Sequence, residues 1–187
     1  MSGYVCLTSY IHAVKKPIIK MIYISTTCKF SKSGLYRYSL RRTWANGSRK
    51  QVLFIGLNPS TADRGSDDPT IRRCVKFAKD WGFNSLEVVN LFAFRATYPK
   101  DLFGEAKPEG LHNDSWIKMA HQRSALTIAC WGSAGIYRNR SRTVMDLVNN
   151  LFCIRVNRDN SPSHPLYLNS KLTPRPYIYS AALGSNR

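Results

Sequence analysis

The sequence predicts an α/β fold: three layers, with helices on both faces of a central four-stranded, mainly parallel sheet. Two observations carry this. Four short apolar runs, residues 50–57 (KQVLFIGL), 85–92 (SLEVVNLF), 125–132 (ALTIACWG) and 152–156 (FCIRV), have the length and composition of strands buried in parallel sheets. Three stretches of helical periodicity separate them, and strands alternating with helices make βαβ units whose sheet is covered on both sides.

The elements follow in order. Residues 21–30 and 35–44 alternate enough to read as strands, joined by a turn at 31–34. The first helix is signalled from Asp68. Asp68 can cap it, Pro69 suits its first position, and Ile71, Val75 and Ala78 recur at helical spacing, with Arg72, Arg73, Lys76 and Lys79 on the other side. Gly82 stops it. A loop with Pro99, Gly104, Pro108 and Gly110 leads to a second helix near 114–124. A third, near 141–151, puts Val144, Leu147, Val148 and Leu151 in register. At 187 residues the chain reads as one domain over 21–174, with an N-terminal extension (1–20) and a C-terminal tail (175–187).

Charge is the strongest global signal. The chain holds 28 Lys and Arg against 11 Asp and Glu, a net charge of +17, and its first acidic residue is Asp63. Such an excess attracts polyanions at long range and is the electrostatic footprint of a nucleic-acid binder. No run of about 18 apolar residues exists to span a membrane, and no amphipathic helix sets large apolar side chains opposite basic ones. No apolar segment of signal-peptide length follows Lys15 and Lys16, so the expected location is cytoplasmic. Five widely spaced cysteines without a CxxC pair favour free thiols over a zinc knuckle or a disulfide framework. His112 and His121 would face opposite sides of a helix, so no metal or other cofactor is expected.

In open α/β sheets ligands bind beyond the carboxyl ends of the strands. The densest turn chemistry lies there: FIGLNPSTADRGSDDPT (54–70), residues 90–99, and SPSHPLYL (161–168). Each stretch has a plain reading. Gly-Leu-Asn-Pro-Ser is then a strand-to-helix turn, Asn90 a strand cap, and His164 a loop residue before proline. Their joint position on one sheet edge favours a site. Familiar catalytic signatures are missing: there is no GxxxxGK[ST], GxSxG or HExxH.

GLNPS (56–60) resembles the first motif, Gly-x-Asn/Asp-Pro, of the uracil-DNA glycosylase superfamily, in the Asn form of its mismatch-specific thymine/uracil enzymes. HPLYL (164–168) resembles the second motif, His-Pro-x-x-Leu. VVNLFAFRATYP (88–99) is similar to the Asn-x4-Arg-x3-Pro segment of the iron–sulfur branch, and LTIACWGSAG to its third strand and Gly-rich turn. Over roughly residues 21–170 the chain resembles that superfamily, through a branch of bacterial and phage domains marked by GLNPSTAD.

The resemblance implies a monofunctional DNA glycosylase that leaves an abasic site. Phe94 stands where the iron–sulfur branch has a cluster cysteine, so no cluster is expected. Ser60 replaces a bulky tyrosine that excludes 5-substituted bases in some uracil-specific enzymes, which implies a larger, modified pyrimidine. Asn58 would orient the water, with Asp63 a stronger base if the loop folds it inward. Asp67 and Asp68 share that loop and can serve the substituent or the water. His164 would donate to the base oxygen where charge develops. Asn90 reads the pairing edge; Gly56, Leu57 and Ser60 line the base site, and Phe92 or Phe94 stacks on it. Leu166 or Tyr167 fills the vacated stack, while Arg72, Arg73, Arg95 and Ser163 hold the DNA backbone. The expected partner is DNA, bound by a monomer. A further expectation is antiviral defence against hypermodified cytosine, such as glucosylated hydroxymethylcytosine. The alternatives are a non-catalytic reader of modified bases and an RNA- or nucleotide-processing enzyme on the same fold.

Overall fold

The computed structural model describes residues 22–46 and 51–178. The expected extension over 1–20, and residues 179–187 of the expected tail, lie outside the described residues. The strands are β1 (Ser25–Phe30), β2 (Arg37–Thr43), β3 (Gln51–Gly56), β4 (Ser85–Asn90), β5 (Leu126–Ala129), β6 (Leu151–Cys153) and β7 (Arg175–Pro176). They form one mixed sheet in the order β1-β2-β4-β3-β5-β6-β7.

The α/β class is as expected, but the sheet has seven strands rather than four. Its parallel centre, β4-β3-β5-β6, corresponds to the four apolar runs. The N-terminal hairpin adds β1 and β2 antiparallel to the open edge of β4. At the far edge β7 pairs antiparallel with β6, where Pro176, lacking an N–H, is tolerated. The Tyr177 N–H then donates to the Leu151 carbonyl (2.8 Å), and the Tyr177 ring is buried against Trp131. Residues 175–178 are therefore part of the domain, which corrects the tail boundary.

Helix α1 (Pro69–Asp80) starts as expected, with the Ile71 N–H donating to Asp68 Oδ1 at 2.8 Å. A short helix, α2 (Pro99–Gly104), occupies part of the expected loop. α3 spans Asn113–Gln122. α4 (Arg140–Leu147) is shorter than its sequence pattern: Val148 is already extended, Asn150 turns left-handed at φ 48°, and Leu151 opens β6. Its apolar spacing continued across a turn into a strand, which periodicity alone cannot separate.

Side chains alternate across the sheet and feed two cores. Val52, Phe54, Leu86 and Val88 pack with Ile71, Val75, Phe77 and Ala78 of α1. Leu53, Ile55 and Val89 pack on the other face with Leu102, Ile117 and Val144. Among the described residues no helix is long and apolar enough to cross a membrane.

Candidate active site

A cavity of about 270 Å³ opens where β3, β4 and β5 end, on the α1 face. Gly56, Leu57, Asn58 and Ser60 enter it from the loop after β3. Asn90, Ala96 and Thr97 enter from β4 and its loop, and His164 with Pro165 from the segment after β6. Six of the residues expected at the site thus share one cavity: Gly56, Leu57, Asn58, Ser60, Asn90 and His164.

The backbone explains the convergence. The loops after β3 and β4 continue side by side beyond the sheet, with Leu91, Phe92 and Ala96 N–H groups donating to Gly56, Leu57 and Pro59 carbonyls. Asn58 Nδ2 donates to the Ala96 carbonyl (2.7 Å) and the Pro59 carbonyl (3.2 Å). Two carbonyl acceptors require the NH₂ end there, so Oδ1 is left as the free acceptor. Gly56 sits opposite Asn90 in the sheet, and a Cβ on it would lie 2.8 Å from Asn90 Oδ1. The glycine is what lets the Asn90 amide occupy the cavity wall. Asn90 is 4% exposed, and its Nδ2 has no hydrogen-bond partner.

His164 keeps an exposed edge. Protein around the ring lowers its pKa, with Asp68 pulling weakly the other way, so the imidazole is neutral at physiological pH. The Leu166 N–H donates to Nδ1 at 3.4 Å, which puts the ring proton on Nε2. The loop is pinned from α1 by Arg73, whose Nη2 donates to the Leu168 carbonyl and whose guanidinium lies 4.7 Å from the Phe77 ring centroid.

The acidic loop sorts its three carboxylates. Asp63 lies outside the cavity lining. Its Oδ1 accepts from the Gly65 N–H (2.7 Å), the Ser66 N–H (2.8 Å) and Ser66 Oγ (3.0 Å), and these bonds hold its carboxyl below the usual range. The loop does not fold Asp63 inward, the condition on which its expected role as a base depended. Asp67 is also structural, bonded to Arg42 Nε at 2.9 Å and to the Tyr23 hydroxyl. Asp68 is the carboxylate that lines the cavity.

Several other expected residues serve the fold. Phe92 is fully buried on the α3 face, 5.7 Å from the Tyr137 ring, and Phe94 meets Tyr36 edge-on at 5.9 Å; neither lines the cavity. Ser163 is buried, bonding Asn157 Oδ1, and Arg73 is committed to the His164 loop. Neither is free to hold a phosphate. Leu166 is half-buried, whereas Tyr167 is 90% exposed. Arg72 and Arg95 are exposed, with Arg95 donating to the Gly34 carbonyl and lying over Phe30.

Trp131 and Arg37 are among the cavity residues that escaped sequence reasoning. Trp131, within the quoted strand and Gly-rich turn, forms part of the wall, and Gly135 has no side chain because a Cβ would fall 2.1 Å from the Trp131 ring. Asp68, expected both to cap α1 and to serve the substituent or the water, does line the cavity. Arg37, in a strand read only for its alternation, is buried in the cavity wall. Cys74 and Cys130 also line it, but burial raises both thiols, Cys130 to about 12, so neither is a thiolate nucleophile at neutral pH. Past Ser60 and Thr97 the cavity adjoins a cleft of about 240 Å³ lined by Thr61, Arg95, Gly34 and Leu35.

A family described as "Protein of unknown function (DUF1643)" matches residues 37–166. No curated protein matches the chain, and no solved structure does.

Proposed function

The chain belongs to the DUF1643 family, and we propose that it is a monofunctional DNA glycosylase with a uracil-DNA glycosylase-like site. It hydrolyses the N-glycosidic bond of a 5-substituted pyrimidine turned out of the DNA. The observation that carries this reading is the meeting of Asn58, Asp68, Asn90 and His164 in one cavity large enough to admit a nucleobase.

Extruding the base costs a few kcal/mol of lost stacking, offset by apolar contact with Trp131, Phe54, Val88 and Ile71 along the cavity. Asn58 Oδ1 accepts a hydrogen bond from the attacking water. Asp68 takes the water's proton on Oδ2, because Oδ1 already caps α1. His164, a neutral donor through Nε2, meets a ring oxygen of the departing base; one such donor contributes about 10² to 10³ in rate. Asn90 reads the pairing edge with its donor and acceptor.

Small Ser60 leaves the 5-substituent a route into the adjoining cleft. The hydroxyls of Ser60, Thr61 and Thr97, together with Arg95, suit a hydroxylated group there. Glucosylated hydroxymethylcytosine of phage DNA is such a base, and the role is then antiviral defence in the cytoplasm. Outside the cavity, Arg72 holds phosphate and exposed Tyr167 fills the gap in the stack. The protein acts as a monomer.

The deciding experiment is mass spectrometry of bases freed from DNA carrying bulky 5-substituted pyrimidines. The expected result is base release and abasic sites, abolished in Asn58→Ala. DNA that binds without ever losing a base would instead identify a non-catalytic reader. Preferential binding of RNA at fixed salt would point to the RNA-processing alternative.

A further inference from the structure

We propose that Arg37 is the counter-charge for the departing base, so that the cavity holds the pyrimidine as its N1 anion. This deepens the glycosylase reading and rests on it for the identity of the ligand. Three arginines are buried in the described residues: Arg37 at 2%, Arg42 at 1% and Arg140 at 4% exposure. Arg42 pairs with Asp67, and Arg140 with Asp114. Arg37 differs. Its side chain donates one hydrogen bond, from Nη1 to the Ala62 carbonyl at 2.6 Å, and its Nε is buried without an acceptor. Among the described residues no carboxylate lies within ion-pair distance of it, including Asp68 across the cavity.

Burying an unpaired cation costs several kcal/mol, and here the fold goes out of its way to do so. The register of β1 against β2 shifts from Lys29–Ser39 to Phe30–Arg37, leaving Tyr38 as the extra residue of a bulge. Ser39 reaches Glu87 on the α3 face, while Arg37, two residues earlier, lines the cavity on the α1 face. In a regular strand the two would share a face.

Among the described residues lining the cavity Arg37 is the one Lys or Arg, and His164 is neutral, so Arg37 is the cation placed in its wall. The Nδ2 of Asn90 is a second buried donor without a partner on the same wall. A ligand that satisfies both presents acceptor oxygens and carries negative charge. The departing base does this. As the C1′–N1 bond breaks, both its electrons stay on the ring and spread onto the O2 carbonyl oxygen, and onto O4 as well in a uracil-type base. The water oxygen bonds to C1′, and its proton goes to Asp68. The base leaves as an anion and takes a proton after release.

The test titrates free 5-hydroxymethyluracil and its N1,N3-dimethyl derivative into the full chain, as pH rises toward ionisation of the ring. Wild type should bind the free base increasingly tightly, at least about tenfold better than Arg37→Met at the alkaline end, with the red-shifted ultraviolet band of the N1 anion. Arg37→Lys should restore part of this, and the N1,N3-dimethyl base, which has no proton to lose, should show no such rise. Absence of binding, equal affinity for the two bases at every pH, or a preference retained in Arg37→Met would overturn the proposal. If Arg37→Met fails to fold, the comparison of the two bases on wild type decides. A chain that binds the anion but never frees a base from DNA would leave this inference standing and sink the glycosylase reading.

Discussion

Along β2 and β4 the sheet buries two polar clusters, on opposite faces, and treats them differently. At Glu87, fully buried, each carboxylate oxygen has partners. Ser39 Oγ (2.6 Å) and Arg123 Nη2 donate to Oε1, while Arg123 Nε (2.8 Å) and Gln51 Nε2 (3.1 Å) donate to Oε2. Gln51 is itself bonded to Ser124 and Arg41. At the cavity, Arg37 Nε and Asn90 Nδ2 are equally buried and unanswered. Buried polar groups are almost always satisfied, so each exception calls for an explanation. A cluster that completes itself belongs to the fold, and one that leaves donors unmet beside a cavity belongs to a ligand.

The comparison breaks most sharply at Glu87. Glu87→Ala strands Arg123 and Gln51 and should destabilise the protein by about 3–5 kcal/mol, measured by urea unfolding. A loss under about 1 kcal/mol would mean the cluster is no structural centre. Next come the two loop carboxylates. On the proposed glycosylase reading, Asp68→Asn keeps a good helix cap but removes the general base, so base release should fall about 10²- to 10⁴-fold. Asp63→Asn should leave it within about twofold, a figure inside ordinary mutational scatter. An inverted result would return the catalytic role to Asp63.

Arg37→Met sharpens the contrast through its sign. Replacing an uncompensated buried cation by an apolar side chain should leave the unfolding midpoint unchanged or higher, unlike Glu87→Ala. A marked fall would class Arg37 with the fold. The smallest effect concerns His164. Its folded pKa lies below the unfolded value of about 6.5, so between the two the unfolded chain binds more protons. Its contribution is complete above about pH 6.5 and is lost as pH falls toward the folded value. The difference in unfolding free energy between wild type and His164→Gln should narrow over that window, and a flat difference would remove burial as the cause.

Much of the frame was legible in the residues. Asp68, Pro69 and the spacing of Ile71, Val75 and Ala78 define α1 by local rules of capping and amphipathicity, and these hold wherever the helix packs. The four apolar runs appear as β3 to β6 for the same reason. The pairing of β1 and β2 onto β4 was not legible, because an edge strand chooses its neighbour through long-range hydrogen bonds. Nor was the fate of Phe92 and Phe94: they sit in a motif stretch, but their rings turn into other contacts.

What the sequence by itself determined is the α/β order of the main elements, the start of α1, the excess of positive charge, and the turn-rich loops at the strand ends. Each follows from neighbours in the chain or from simple counting. Tertiary structure alone decided which of three adjacent aspartates faces the cavity, since Gly65, Ser66, Arg42 and Tyr23 claim two of them. It also decided that a bulge at Tyr38 turns Arg37 to the face of Asn58 and His164. Side-chain direction near a bulge and the sharing of hydrogen-bond donors depend on partners far along the chain, and no local pattern encodes them.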